Sequence, residues 1–250
     1  NDPRKVSNVA STVADLRSEI VTIGDKLNQN DGVLAADVAK DIKYNTDQIK
    51  EVLQNAKDNM ISASVDGTDS LASEMKAAKD LVQDVSTKAV EVMVTKHLEG
   101  DTSVSITEVK EAINSMVKNN IDNLTQSIQN IDGAQTALQT VKAGDTASTT
   151  QDFETVLDKT NQAAQVSDTI SAEAVRKADE VTKLLVTDQL ETAVGRMKDL
   201  TQVTRDVENI SDITLTESQS MLPESFGTST VLNVVSSSVN VISSTPIIVS

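Results

Sequence analysis

The apolar positions of this chain recur with a step that is mostly three or four residues. The first run, Val6, Val9, Val13, Leu16, Ile20, Ile23 and Leu27, steps 3, 4, 3, 4, 3, 4. Residues at that spacing fall on one stripe of an α-helix and form an a/d seam, which needs a partner helix to cover it. The cluster Asn28–Gly32 (NQNDG) then reads as a turn. A second helical run follows through Leu34, Val38, Ile42, Ile49, Val52, Leu53, Ala56 and Met60. Folding back over the turn, it is the expected partner of the first seam.

Further punctuation divides the rest of the chain. SVDGTDS at Ser64–Ser70 breaks the second pattern, with Thr68 or Asp69 placed to cap a third helix. That helix carries Leu71, Met75, Ala78, Val82, Val85, Ala89 and Val92 and stops at Gly100. SITE at Ser105–Glu108 matches a capping box and opens a fourth run from Val109 to Val141, ending at Ala143-Gly144-Asp145. Gly133 lies inside that run and is a point where it weakens or breaks. A fifth pattern, Phe153, Leu157, Thr160, Ala164, Ser167, Ala174, Ala178, Val181 and Leu185, has a seam of small residues. Leu190, Val194, Met197, Leu200, Val203, Val207 and Ile210 continue it, with Ser167–Ser171 and Val186–Asp188 as candidate joints.

After Ile213 the character changes. TLTESQSMLPESFGTST, with Pro223 and Gly227, has loop composition. Residues 228–243 are β-branched but keep helical spacing, and the reading favours helix there; PIIVS at Pro246–Ser250 looks like the start of a strand. The segment Val231–Val249 is apolar and uncharged. Such a segment left exposed invites pairing with other chains, so it is expected either to be covered by further sequence or to dock on a neighbouring subunit. The expected fold is all-α: a multi-helix bundle or extended stacked helical hairpins of five to seven helices with coiled-coil-like seams, plus the short terminal strand. It divides into a bundle of about four helices over 1–145, a long helix or helix pair over 146–213, and the mixed segment 214–250. IDNLTQSIQNID at Ile121–Asp132 also echoes MKDLTQVTRDVENISD at Met197–Asp212, at an offset of 76 residues from Leu124 to Leu200.

Composition fits thin helical layers. Aromatics make up 1% of the chain: Tyr44, Phe153 and Phe226. The core must therefore come from Val, Ile, Leu, Ala and Met. Such a core lacks the large buried areas that aromatics supply to deep enzyme interiors. The formal net charge of −16, with no clustered Lys and Arg, disfavours nucleic acid and anionic membrane surfaces as partners. With no cysteine, disulfides, zinc–thiolate sites and thiol catalysis are excluded. No apolar run approaches the roughly 18 residues of a membrane span. The chain begins Asn1-Asp2-Pro3 without Met and is read as a processed product or an excised piece.

Little of the inventory suggests chemistry. His97 is the only histidine, so no His-based metal cluster forms, and its place in a helix's last turn is a structural one. The phosphate-loop, dinucleotide and zincin motifs are absent, as is the G-x-S-x-G elbow. DGTDS at Asp66–Ser70 and NQNDG lack the spacing of a calcium loop and read as turns. No catalytic residue, cofactor or metal ligand is assigned. Two N-glycosylation sequons occur, Asn123-Leu124-Thr125 and Asn209-Ile210-Ser211, and with the Ser/Thr richness they point towards a secreted or cell-surface chain.

The stretch AVGRMKDLTQVTRDVENISDITLTESQSMLPESFGTSTVLNVVSSSVNVISS resembles the helical half of the GAIN domain of adhesion G-protein-coupled receptors and polycystin-like proteins. The likeness rests on Leu200-Thr201, the helix after it, and VLNVVSS leading into a strand, about 50 residues in all. It implies a helical portion that packs on a β-sandwich. The family's His-Leu-Ser/Thr cleavage motif has only His97-Leu98-Glu99 as a counterpart, so no functional residue carries over. The expected function is a non-enzymatic extracellular structural or adhesion module acting through protein partners or self-association. The alternatives are a receptor-type helical module, GAIN-like or a chemoreceptor-like sensor bundle, and an intracellular coiled-coil scaffold.

Overall fold

Six helices pack into a bundle, and no strand occurs among the described residues. The computed structural model describes residues 3–29, most positions of 40–52 with residue 55, and 68–144 and 151–222. Its helices are α1 (Pro3–Gln29), α2 (helical positions within 40–55), α3 (Thr68–Leu98), α4 (Ile106–Gly144), α5 (Gln151–Val186) and α6 (Leu190–Gln219). The expected helix over 228–243 and strand at Pro246–Ser250 lie outside the described residues.

Helices α4, α5 and α6 form an up-down-up unit, each packed along the other two. Leu138, Phe153 and Leu157 close one end with Met221 and Leu222 against them. Leu124, Ile131, Ala164, Ala174, Leu200 and Val207 fill the middle. The 76-residue echo thus falls on two parallel helices, with Leu124 and Leu200 in one core cluster. At the other end, Val109, Ile113, Met116, Val181, Leu185, Leu190, Val194 and Met197 meet Val90, Met93 and Val94 of α3. Gly133 does not interrupt α4; it is exposed and has open space around it.

The opening seam is buried at Val13, Ile20, Ile23 and Leu27. Among the described helices it packs along α3; most of the expected fold-back partner, residues 34–60, lies outside the described residues. Arg17 meets Glu74 at 3.1 Å and a Cβ on Gly24 would stand 3.2 Å from Val85 Cγ2, so α1 and α3 run parallel. The reason lies in α3, whose run Met75, Ala78, Val82, Val85, Ala89 has its own heptad spacing, fully or almost fully buried. Small side chains there, with Gly24 opposite, let the two backbones come close.

Two turns hold the hairpins. Gly100, at φ 91°, ends α3, with Asp101 N–H donating to Lys96 O and Gly100 N–H to His97 O, both at 3.0 Å. This pair of bonds satisfies the last carbonyls of a helix when the residue after it turns left-handed. Ser105 caps α4, its Oγ accepting from Glu108 N–H at 3.1 Å. Asp188, at φ 58°, does for α5 what Gly100 does for α3: Gln189 N–H reaches Leu184 O at 2.9 Å and Asp188 N–H reaches Leu185 O at 3.2 Å. The fifth pattern is therefore two helices, joined at the later of the two candidate joints. Helix α6 also runs on to Gln219, into the first six residues of the stretch that reads as loop. There Thr216 and Ser218 return their hydroxyls to the carbonyls four residues back, at 2.8 and 2.5 Å, which keeps polar side chains compatible with helix.

Candidate functional site

The most distinctive chemistry in the bundle is a polar interface between α3, α4 and α6. It arises from three stripes in one register. On α3 the stripe is Lys79, Gln83, Ser86, Val90, Met93; on α4 it is Val109, Ile113, Met116, Asn120, Asn123, Ser127; on α6 it is Val194, Met197, Thr201, Thr204, Glu208, Ser211. All of these side chains are buried. Each stripe keeps heptad steps of three and four, and each changes from apolar to polar with distance from the α3–α4 turn. Because α3 runs antiparallel to α6, the polar half of one meets the polar half of the other.

The contacts across α3 and α6 are charged. Lys79 Nζ donates to Glu208 Oε2 in a buried ion pair. Lys76 Nζ donates to Asn209 Oδ1 at 2.7 Å and to Asp212 Oδ2 at 2.9 Å. Arg205 Nη2 donates to Asp80 O at 3.0 Å, Gln83 Oε1 at 3.1 Å and Asp84 Oδ1 at 3.1 Å. Between α4 and α6, Asn120 Nδ2 donates to Thr201 Oγ1 at 2.9 Å while Thr201 Oγ1 itself donates to Met197 O at 3.1 Å. Asn120 Oδ1 and Ser86 Oγ, both buried, have no hydrogen-bond partner among the described groups. A partly satisfied polar layer stabilises an interface less than an apolar one of equal area.

The residues singled out in the sequence fall at different places. His97 is half-buried in the last turn of α3, its Nδ1 3.0 Å from Val104 O, where it ties the helix end to the loop before α4. Asn123 is buried on the polar stripe, its Nδ2 donating to Asn119 Oδ1 at 3.2 Å. Asn209 is exposed at the edge of the α3–α6 contact. Among the described residues no group of three or more His, Asp or Glu side chains converges on a metal position. No described helix is long and apolar enough to cross a membrane.

A groove of about 260 Å³ runs between α3 and α6, lined by Glu91, Val94, Thr95, Glu191, Val194, Gly195 and Lys198. It is smaller than the roughly 300–1,000 Å³ of small-molecule sites, and the Lys198–Glu91 ion pair at 3.0 Å spans it. The polar stripe escaped the reading of the sequence because, on the third, fourth and sixth helices, that reading followed apolar residues. The signal was present: Lys79, Gln83 and Ser86 continue the register of Val90 and Met93 without a break. No family model matches the chain, and no curated protein or solved structure proved significantly similar to it.

Proposed function

We propose that the chain is a non-enzymatic helical interaction module of an extracellular or cell-surface protein, working through protein partners or through copies of itself. One observation carries this reading. The interior groups that could serve a ligand, Lys79, Glu208, Arg205, Asn120 and Thr201, are all engaged in bonds from one helix to another. Their chemistry is directed at how helices associate. The acidic surface suits solubility and a partner with basic patches.

The extracellular part of the proposal rests on Asn209, the exposed sequon. Expression behind a secretion leader in a eukaryotic cell tests it. Mass spectrometry of the secreted chain should find a glycan on Asn209 and none on Asn123. Retention of the chain inside the cell, or secretion with Asn209 unmodified, would count against this reading and favour the intracellular scaffold. Sedimentation of the purified chain tests association: removal of residues 223–250 should abolish it without loss of helical circular dichroism.

A receptor-type helical module is the second reading. What favours it is that α6 continues unbroken from Leu190 to Gln219, over the first half of the stretch that resembles the GAIN helical portion. A neighbouring β-sandwich encoded beyond Ser250 would support it.

A further inference from the structure

We infer that α3, carrying α1 with it, is a hinged arm that opens from the α4–α5–α6 unit at its polar end and pivots on the apolar cluster beside the α3–α4 turn. The inference starts from how unevenly α3 is attached. Its apolar face, Met75, Ala78, Val82, Val85 and Ala89, lies on the α1 side, and α1 packs along it extensively. Its contacts with α4 and α6 are sparse by comparison. Of the described apolar clusters of the three-helix unit, only the one beside the turn includes α3 residues, namely Val90, Met93 and Val94.

From that cluster towards the start of α3, the contacts between α3 and α6 among the described residues are polar. Glu91 meets Lys198 at 3.0 Å, Asp84 meets Arg205 at 3.1 Å and Lys76 meets Asp212 at 2.9 Å, with the buried Lys79–Glu208 pair between the last two. Apart from Lys79 and Glu208, these side chains are a fifth or more exposed, so water and salt reach them when the interface is closed. Ion pairs of that kind contribute little each and weaken with ionic strength. Opening also lets water reach Ser86 Oγ and Asn120 Oδ1, which have no hydrogen-bond partner in the closed form. The apolar cluster does not weaken with salt in this way, which makes it the pivot. Such a joint responds to ionic strength, or to a charged partner competing for Arg205 and Lys76, by exposing one whole polar face of α6.

The absence of cysteine permits paired spin labels without background. One pair, at Ser73→Cys and Ile213→Cys, reports the polar end; both positions are exposed. A second pair, at Thr95→Cys and Glu191→Cys, reports the pivot, and both are exposed there too. Pulsed electron resonance distances are read at low salt and at about 1 M, where the screening length is about 3 Å. The expected result is a longer Ser73–Ile213 population that grows roughly fivefold with salt, a change that weakening three half-exposed pairs can give. The Thr95–Glu191 distance should hold. In the variant K79M/E208L, where an apolar pair replaces the ion pair, the polar end should stay closed at both salts. A Ser73–Ile213 distance that is single and unchanged in high salt would overturn the hinge. So would both distances lengthening together, since that is detachment without a pivot.

Discussion

Lys79 of α3 and Glu208 of α6, separated by 129 residues in sequence, form an ion pair in the interior of the bundle, and each side chain is almost completely shielded from solvent. Burying two charges removes their hydration, so such a pair need not stabilise the fold relative to apolar residues of the same size. Breaking it is a different matter, because one charge is then left buried alone. Lys79→Met or Glu208→Leu, made singly, should each cost about 3–5 kcal/mol. The double variant should return to within about 1 kcal/mol of the parent or exceed it, by the same reasoning. Urea denaturation of the four proteins gives the cycle directly. Equal losses in the single and double variants would show that the pair is not coupled as described.

Two glycines should respond in opposite ways to alanine. Gly133 sits inside α4 with nothing within 4 Å of an added Cβ, so Gly133→Ala should gain about 0.5–1 kcal/mol from helix propensity alone. Gly24 also lies in a helix, but its added Cβ would press on Val85 Cγ2 at 3.2 Å. Gly24→Ala should therefore forfeit that gain, and Gly24→Val should loosen α1 from α3. Thermal unfolding followed by circular dichroism distinguishes the two positions; a gain at Gly24 equal to that at Gly133 would mean the α1–α3 contact is slack.

The seam residues give the largest single effects. Ile131 is fully buried, and Ile131→Ala should cost about 2–5 kcal/mol through lost burial and the cavity left behind. Ile213, the same residue type at 60% exposed on α6, should change stability by no more than about 0.5 kcal/mol on the same substitution.

Acid should loosen the α3–α4 turn. The Ser103 hydroxyl and the Ser103 backbone N–H both donate to Asp101 Oδ1, at 2.6 and 2.9 Å, and hold its carboxyl below the ordinary carboxylate range. A group whose pKa falls on folding stabilises the fold above its unfolded pKa, and that contribution is lost as pH drops through the lower, folded value. Carboxyl NMR titration should find Asp101 protonating below the ordinary aspartate range. Ser103→Ala should move it back up, and protection of the Ser103 amide should fade over the same pH range. If Ser103→Ala leaves the titration where it was, the hydrogen bonds are not its cause.

Much of the bundle was legible because apolar residues repeat in heptads. Leu124, Ile128 and Ile131 on α4 and Leu200, Val203 and Val207 on α6 mark the core faces directly, and Gly100 and Ser105 mark a helix end and a helix start. Where the sequence misled, polar residues were the cause. Asn120, Asn123, Thr201 and Thr204 hold seam positions that the apolar spacing does not mark, and each bonds to a neighbouring polar side chain or to backbone. Asp188 carries no glycine signal, so the α5–α6 break could be narrowed only to two places. The sequence reading named only the fold-back segment as a partner of α1, and α3 was not foreseen beside it: a heptad seam states that a partner is needed and leaves its identity to tertiary packing.

The antiparallel course of α3 against α6 also determines how the molecule bears load. Residues pair in reverse order, Glu91 with Lys198 near the turn and Lys76 with Asp212 far from it, so the start of α3 and the end of α6 lie at the same end of the bundle. Tension applied between Thr68 and Gln219 therefore peels α3 away one ion pair at a time rather than sliding two long surfaces past each other. Lys76–Asp212 takes the strain first, then Lys79–Glu208, then Arg205 with its three acceptors. The apolar cluster by the turn is loaded last. A pull between those two ends would therefore open the α3–α6 contact from its polar end, with the apolar cluster the last to part.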